Sequence, residues 1–185
     1  MKKCLVIVLF LLSALSICAQ KNNDAIVSQL KSLKTDKQIT LNYDSGSNAT
    51  KVMVIGDYFP ETEAKAAGIK ALYFVMAFYY PGKTLTAPPE TLAITFSVET
   101  KKPKFAEAHN WKAIIGTESL DLGDSRYAPK PSNNMEYLNF KITRDDLSKI
   151  AAGTNVKFKL GNADFTFTAA HLAIFKSLIA ITDFH

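Results

Sequence analysis

The chain has 185 residues, with 22 Lys plus Arg against 17 Asp plus Glu, 48% hydrophobic and 21% charged side chains, an ordinary globular balance that excludes a disordered or collagen-like chain. Its 8 Gly and 7 Pro are scattered without period. No apolar run beyond the first 20 residues is long enough to cross a bilayer as a helix.

Residues 1–19 read as a secretory signal: Lys2 and Lys3 form the charged start, Leu5 to Leu12 the apolar stretch, and Ile17-Cys18-Ala19 a cleavage site before Gln20. The expected organisation is a signal peptide over 1–19 and one β-rich domain over 20–185. Leu15-Ser16-Ile17-Cys18 has the outline of a lipobox, but bulky Ile17 stands beside the scissile bond, so lipid attachment at Cys18 is the minor alternative. Cleavage after Ala19 lowers the basic count from 22 to 20 against 17 acids. That excess is too small for a nucleic-acid binder, which must displace counterions from phosphates, and the dense patch Lys101-Lys102-Pro103-Lys104 reads as a solvated loop. Both cysteines, Cys4 and Cys18, lie in the leader, so the mature chain has no disulfide, thiolate metal site or cysteine nucleophile. A chain of this size buries roughly 70% of its unfolded surface, enough for a core without covalent staples.

In chain order, Ile26, Leu30 and Leu33 fall at helical spacing and predict a short amphipathic helix over 24–34, with Asp24 at its amide end. The period then changes to two. Ile39, Leu41 and Tyr43 alternate with polar residues, Asp44 to Asn48 reads as a turn, and a second strand runs from Thr50 to Tyr58. Pro60 to Lys70 is taken as a connection ended by Gly68. Ala71 to Tyr80, ALYFVMAFYY, has no polar face and predicts a central strand covered on both sides. Alternation over 92–98, 110–118 and 135–143 adds three more strands. Thr143 caps a short helix closed by Gly153; Val156 to Leu160 and the return through Phe165 and Phe167 form a hairpin about Gly161-Asn162; Thr168 caps a final helix, Ala169 to Thr182, apolar nearly all round. These elements predict a mainly β fold, all-β to α+β: an antiparallel β-sandwich or open barrel of about eight strands with short N-terminal and C-terminal helices packed on it.

The chemistry is sparse. Ser119 to Asn134 reads as the longest loop, long enough to carry function, with Asp121, Asp124, Arg126 and Tyr127 as a candidate partner-binding set. Asp121 and Asp124 lack the oxygen series and closing Glu of a calcium loop, and His109, His171 and His185 lack the spacing and company of a zinc site, so no metal and no cofactor is expected. No GxSxG elbow, HExxH pair or glycine-rich phosphate cradle occurs; the Gly-x-Trp that opens a lipocalin is absent, Trp111 following His109-Asn110. The aromatic residues Tyr73, Phe74, Phe78, Trp111 and Phe175 are the candidate lining of an apolar pocket under the last helix, against the plainer reading of core packing. The sequence therefore points to an exported, periplasmic or extracellular protein without catalysis, a binding module for another component of the bacterial envelope. Two alternatives stand beside it: a carrier of a small apolar ligand, and a hydrolase whose site is assembled only in space.

Overall fold

The computed structural model describes residues 21–32 and 39–183; the leader 1–19 and the last turn of the expected first helix lie outside the described residues. Strands make up 47% of what is described, in two antiparallel sheets with four short helices, and neither sheet closes into a barrel. In chain order the elements are β1 (Lys21–Asn22), α1 (Asn23–Ser32), β2 (Ile39–Asp44), β3 (Ala49–Ile55), α2 (Glu61–Ala66), β4 (Ala71–Pro81), β5 (Thr84–Leu85), β6 (Thr91–Glu99), β7 (Asn110–Ile115), β8 (Glu118–Asp124), β9 (Arg126–Lys130), β10 (Met135–Thr143), α3 (Arg144–Ala152), β11 (Val156–Leu160), β12 (Ala163–Thr166) and α4 (Ala169–Ile181). One sheet has the order β2-β3-β4-β6-β10-β9 and the other β12-β11-β7-β8, while β1 and β5 form a two-residue ladder. The eight expected strands are present; the four additions are the short pair β1 and β5, and β8 and β9 from the segment read as a loop.

Period-two patterning explains how the sheets face each other. Leu72, Phe74, Met76, Phe78 and Tyr80 of β4 are buried, as are Leu92, Ile94, Phe96 and Val98 of β6, and the second sheet answers with Trp111, Phe158 and Phe165. Rings bridge the layers: Phe96 meets Trp111 at 5.2 Å and Phe158 at 5.4 Å, and Phe158 stacks on Phe167 at 4.3 Å. The hairpin turn after β11 requires Gly161, whose φ is +56° and where a Cβ would fall 2.1 Å from the Ala108 carbonyl oxygen.

Capping follows sequence at two of the four helices, α3 and α4. Thr143 accepts from the Asp146 amide at 3.0 Å to start α3. Thr168 and His171 form a reciprocal box at α4. At α1 the cap is Asn22, whose Oδ1 accepts from the Ala25 amide at 2.8 Å, in place of Asp24; the helix begins one residue earlier than its apolar spacing suggested. The connection Pro60 to Lys70 contains a helix, α2, ended as expected before Gly68. α4 packs within this chain, on α3 and on the inner rings, with Phe175 5.1 Å from Phe74. Its exposed positions, Ala169, Ala170, Ala173, Lys176 and Ala180, are mostly alanine, which is why the helix looked apolar all round.

β4 corrects one expectation. Its even positions are buried, but Ala71, Tyr73, Val75 and Ala77 are only half-buried and Tyr79 is exposed. The strand is central, between β3 and β6, but among the described residues its second face is only partly covered.

Candidate functional site

The segment 119–134 is not a loop. β8 is the edge of the four-stranded sheet, β9 the edge of the six-stranded one, and the chain passes from one to the other at Ser125. Pro129 is tolerated because β9 lies at an edge. This separates the four candidate residues. Asp121 lies on the outer face of β8, where Lys112 approaches at 3.4 Å and the Gly123 amide donates to it at 3.0 Å; that amide first, and Lys112 after it, hold its carboxyl below the usual carboxylate range. Asp124 is exposed at the end of β8, opposite Asn110. Arg126 is exposed on the outer face of β9, paired with Asn139. Tyr127 faces the opposite way. Among the described residues no three His, Asp or Glu side chains gather to hold a metal.

Tyr127 belongs to a polar network that sequence reasoning missed. Its hydroxyl donates to Glu136 Oε1 at 2.6 Å, and its ring stacks on His109 at 5.8 Å and 11°. Burial, and then the Glu136 carboxylate, push its pKa up to about 12. Glu136 is buried and also takes the amides of Lys104 at 2.9 Å and Phe105 at 3.1 Å. Ser125 Oγ lies 3.2 Å from His109 Nδ1. The partners of Glu136 among the described residues are the Tyr127 hydroxyl and the loop amides, and no hydrogen bond joins it to His109. The only sequence signal for this network was a Glu at an inward position of β10, between Met135 and Tyr137.

The five aromatic candidates do not line one pocket. Phe74, Phe78, Trp111 and Phe175 are buried in the interior, and Phe74, Trp111 and Phe175 pack edge or tilted against other rings at 5.0–5.4 Å. Tyr73 is on the other side of the sheet, against Tyr58 at 5.1 Å. An odd-numbered residue of β4 cannot share a face with its even-numbered neighbours.

Tyr73 instead belongs to the surface that distinguishes this molecule. Three large hydrophobic side chains are exposed among the described residues, Ile55 at 39%, Tyr58 at 67% and Tyr79 at 60%. All three lie on the outer face of the six-stranded sheet: Ile55 opposite Val75, Tyr79 opposite Lys51, and Tyr58 on Tyr73. Met53, Ala77 and Tyr137 extend the patch, and Lys51, Lys141, Arg126 and Lys130 edge it, with the Lys51 ammonium 5.7 Å from the Tyr79 ring. The outer face of the four-stranded sheet is different. There Asp164, Lys159, Lys112 and Asp121 stand side by side across all four strands, with Lys159 to Asp164 at 3.6 Å and Lys112 to Asp121 at 3.4 Å. One outer face is a water-facing charge ladder and the other an aromatic patch whose margin carries these four cations and, between Ala71 and Met135, Glu99. The sequence signal was the apolar odd positions of ALYFVMAFYY.

Fold and surface together define a mainly β, sandwich-like protein with one solvated and one apolar outer sheet face. Comparison with protein-family models, with curated proteins and with solved structures finds no match to this chain.

Proposed function

We propose that this chain is an exported, non-catalytic binding module of the bacterial cell envelope, and that it holds a partner protein on the outer face of its six-stranded sheet. The observation that carries the reading is the gathering of Ile55, Tyr58 and Tyr79 on that one face, beside Tyr73 and Tyr137. Tyrosine gives large contact area for little lost side-chain freedom and is enriched in interface cores, and contiguous exposed apolar surface in a folded chain marks an interaction site. The Lys51, Lys141, Arg126 and Lys130 margin calls for a partner whose apolar patch is edged with carboxylates. Arg126 remains a partner-binding residue in this reading, now as part of a sheet face. Export rests on the leader of residues 1–19, and the mass of the protein recovered from the envelope is expected to lack those 19 residues.

The test is site-specific photo-cross-linking in the producing cell. A photoreactive residue at Tyr58 or Tyr79 is expected to trap one discrete envelope protein, and the same probe at Lys159, on the charged face, to trap none. Adducts of equal yield at all three positions, or at Lys159 alone, would remove the assignment.

A further inference from the structure

Lys101, Lys102 and Lys104 crowd around Pro103 in sequence, and folding adds a fourth lysine, Lys70, from 31 positions before Lys101. The Lys70 amide donates to the Glu99 carbonyl at 2.8 Å, which sets the start of β4 against the end of β6 and places Lys70 beside the basic run. Together the four lysines line an open groove of about 650 Å³ whose other walls include Gly68, Thr100 and Pro103, and no acidic side chain lines it. Gly68 sits at φ +73° and leaves the wall bare, so that a Cβ there would lie 3.8 Å from the Lys104 ammonium nitrogen.

The groove is held from behind. Buried Glu136 accepts from the amides of Lys104 and Phe105, the Phe105 ring is buried, the Thr100 amide donates to the Asn134 carbonyl at 2.9 Å, and Thr100 Oγ1 donates to the Lys102 carbonyl at 2.7 Å. A flexible basic loop would spread its like charges; here the backbone that carries three of the four lysines is tied down. Lys70 has Glu99 at 2.5 Å, and Lys101, Lys102 and Lys104 have no ion-pair partner among the described residues. A fixed backbone lowers the ordering cost of binding, and clustered ammonium groups without a guanidinium fork match a phosphate, read as a concentrated charge, better than a planar carboxylate.

We infer that the groove of Lys70, Lys101, Lys102 and Lys104 is a binding site for phosphate, either a free polyphosphate or the phosphate of an anionic lipid headgroup. It lies at the end of the central strands, on residues separate from the aromatic face, and stands or falls independently of that assignment. The experiment uses the full chain, expressed with its own leader and purified from the envelope. Tripolyphosphate is titrated by calorimetry, and vesicles of phosphatidylglycerol or of phosphatidylcholine are co-sedimented, at low ionic strength where the Debye length is about 30 Å. Saturable 1:1 binding of tripolyphosphate alone assigns the site to soluble phosphate; sedimentation with phosphatidylglycerol but not phosphatidylcholine, competed by tripolyphosphate, assigns it to a headgroup. The triple variant Lys101→Gln, Lys102→Gln, Lys104→Gln is expected to weaken whichever binding occurs by about a hundredfold, each lysine near an anionic surface contributing about fivefold. The control variant Lys157→Gln, Lys159→Gln, exposed on the other sheet, is expected to leave it unchanged. Absence of binding to both probes, or equal loss in both variants, overturns the site.

Discussion

His171 meets two demands that only one form of its imidazole satisfies. At the third position of α4 its Nδ1 accepts from the Thr168 amide at 3.2 Å, while Nε2 stands 3.1 Å from the Asp57 carbonyl and donates to it, which is the neutral ring with its proton on Nε2. Burial lowers its pKa below the ordinary 6.5, with the Asp57 carbonyl and the charges of Asp57 and Glu63 acting in the other direction. Below that ordinary value the unfolded chain binds the proton more readily than the folded one. The stability His171 contributes is therefore full above pH 6.5 and is lost as pH falls through its folded value. Thermal melts are expected to show a steeper fall in Tm on acidification for the native chain than for His171→Gln, whose amide keeps the capping acceptor and does not titrate. Tyr127 gives the opposite case. With its pKa raised to about 12 it contributes stability below the usual tyrosine value of 10.0 that is lost as pH rises through 12. Tyrosinate absorbance during an alkaline titration is expected to include a late-ionising component that Tyr127→Phe removes.

The 119–134 segment shows why a stretch rich in turn residues can still be strand. Gly123, Pro129 and Pro131 are turn formers, but β8 and β9 are edge strands, where one side of the ladder is free and Pro costs no paired amide. Its apolar residues are few because edges are half-covered: Leu120 and Leu122 are only partly buried. At the crossing the Ser125 amide donates to the His109 carbonyl at 3.1 Å, tying the bend to β7. Deleting Leu120 to Lys130 therefore removes an edge from both sheets and leaves buried Glu136 without the Tyr127 hydroxyl. The shortened chain is expected to lose its cooperative melt and its β-sheet circular dichroism, where excision of a true surface loop would leave both. Asp121→Asn, by contrast, keeps an Oδ1 for the Gly123 amide, removes only the exposed charge pair with Lys112, and is expected to leave the melt where it was.

Across the molecule, stability and recognition are assigned to opposite faces of the same strands. Phe158 touches Phe59, Phe96, Phe165 and Phe167 between the two sheets, so Phe158→Ala is expected to cost about 3–5 kcal/mol in denaturant unfolding. Tyr58→Ser with Tyr79→Ser, on the outer face, is expected to stay within about 0.5 kcal/mol of the parent while abolishing capture by a photoreactive residue placed at Ile55. Much of this architecture was legible in order along the chain. Leu92 to Val98 and Val156 to Leu160 announce their buried sides by alternation, and Thr143 and Thr168 announce helix starts, because backbone pleat and helix-end hydrogen bonding are local properties. That information was sufficient for a mainly β chain of antiparallel strands with a capped C-terminal helix. It could not say that the odd face of β4 stays open, that β8 and β9 belong to different sheets, that Glu136 meets Lys104, or that Lys70 joins Lys101. Those relations depend on strand order and register between residues some thirty or more positions apart, and period two is the same for every register that keeps the apolar side inward.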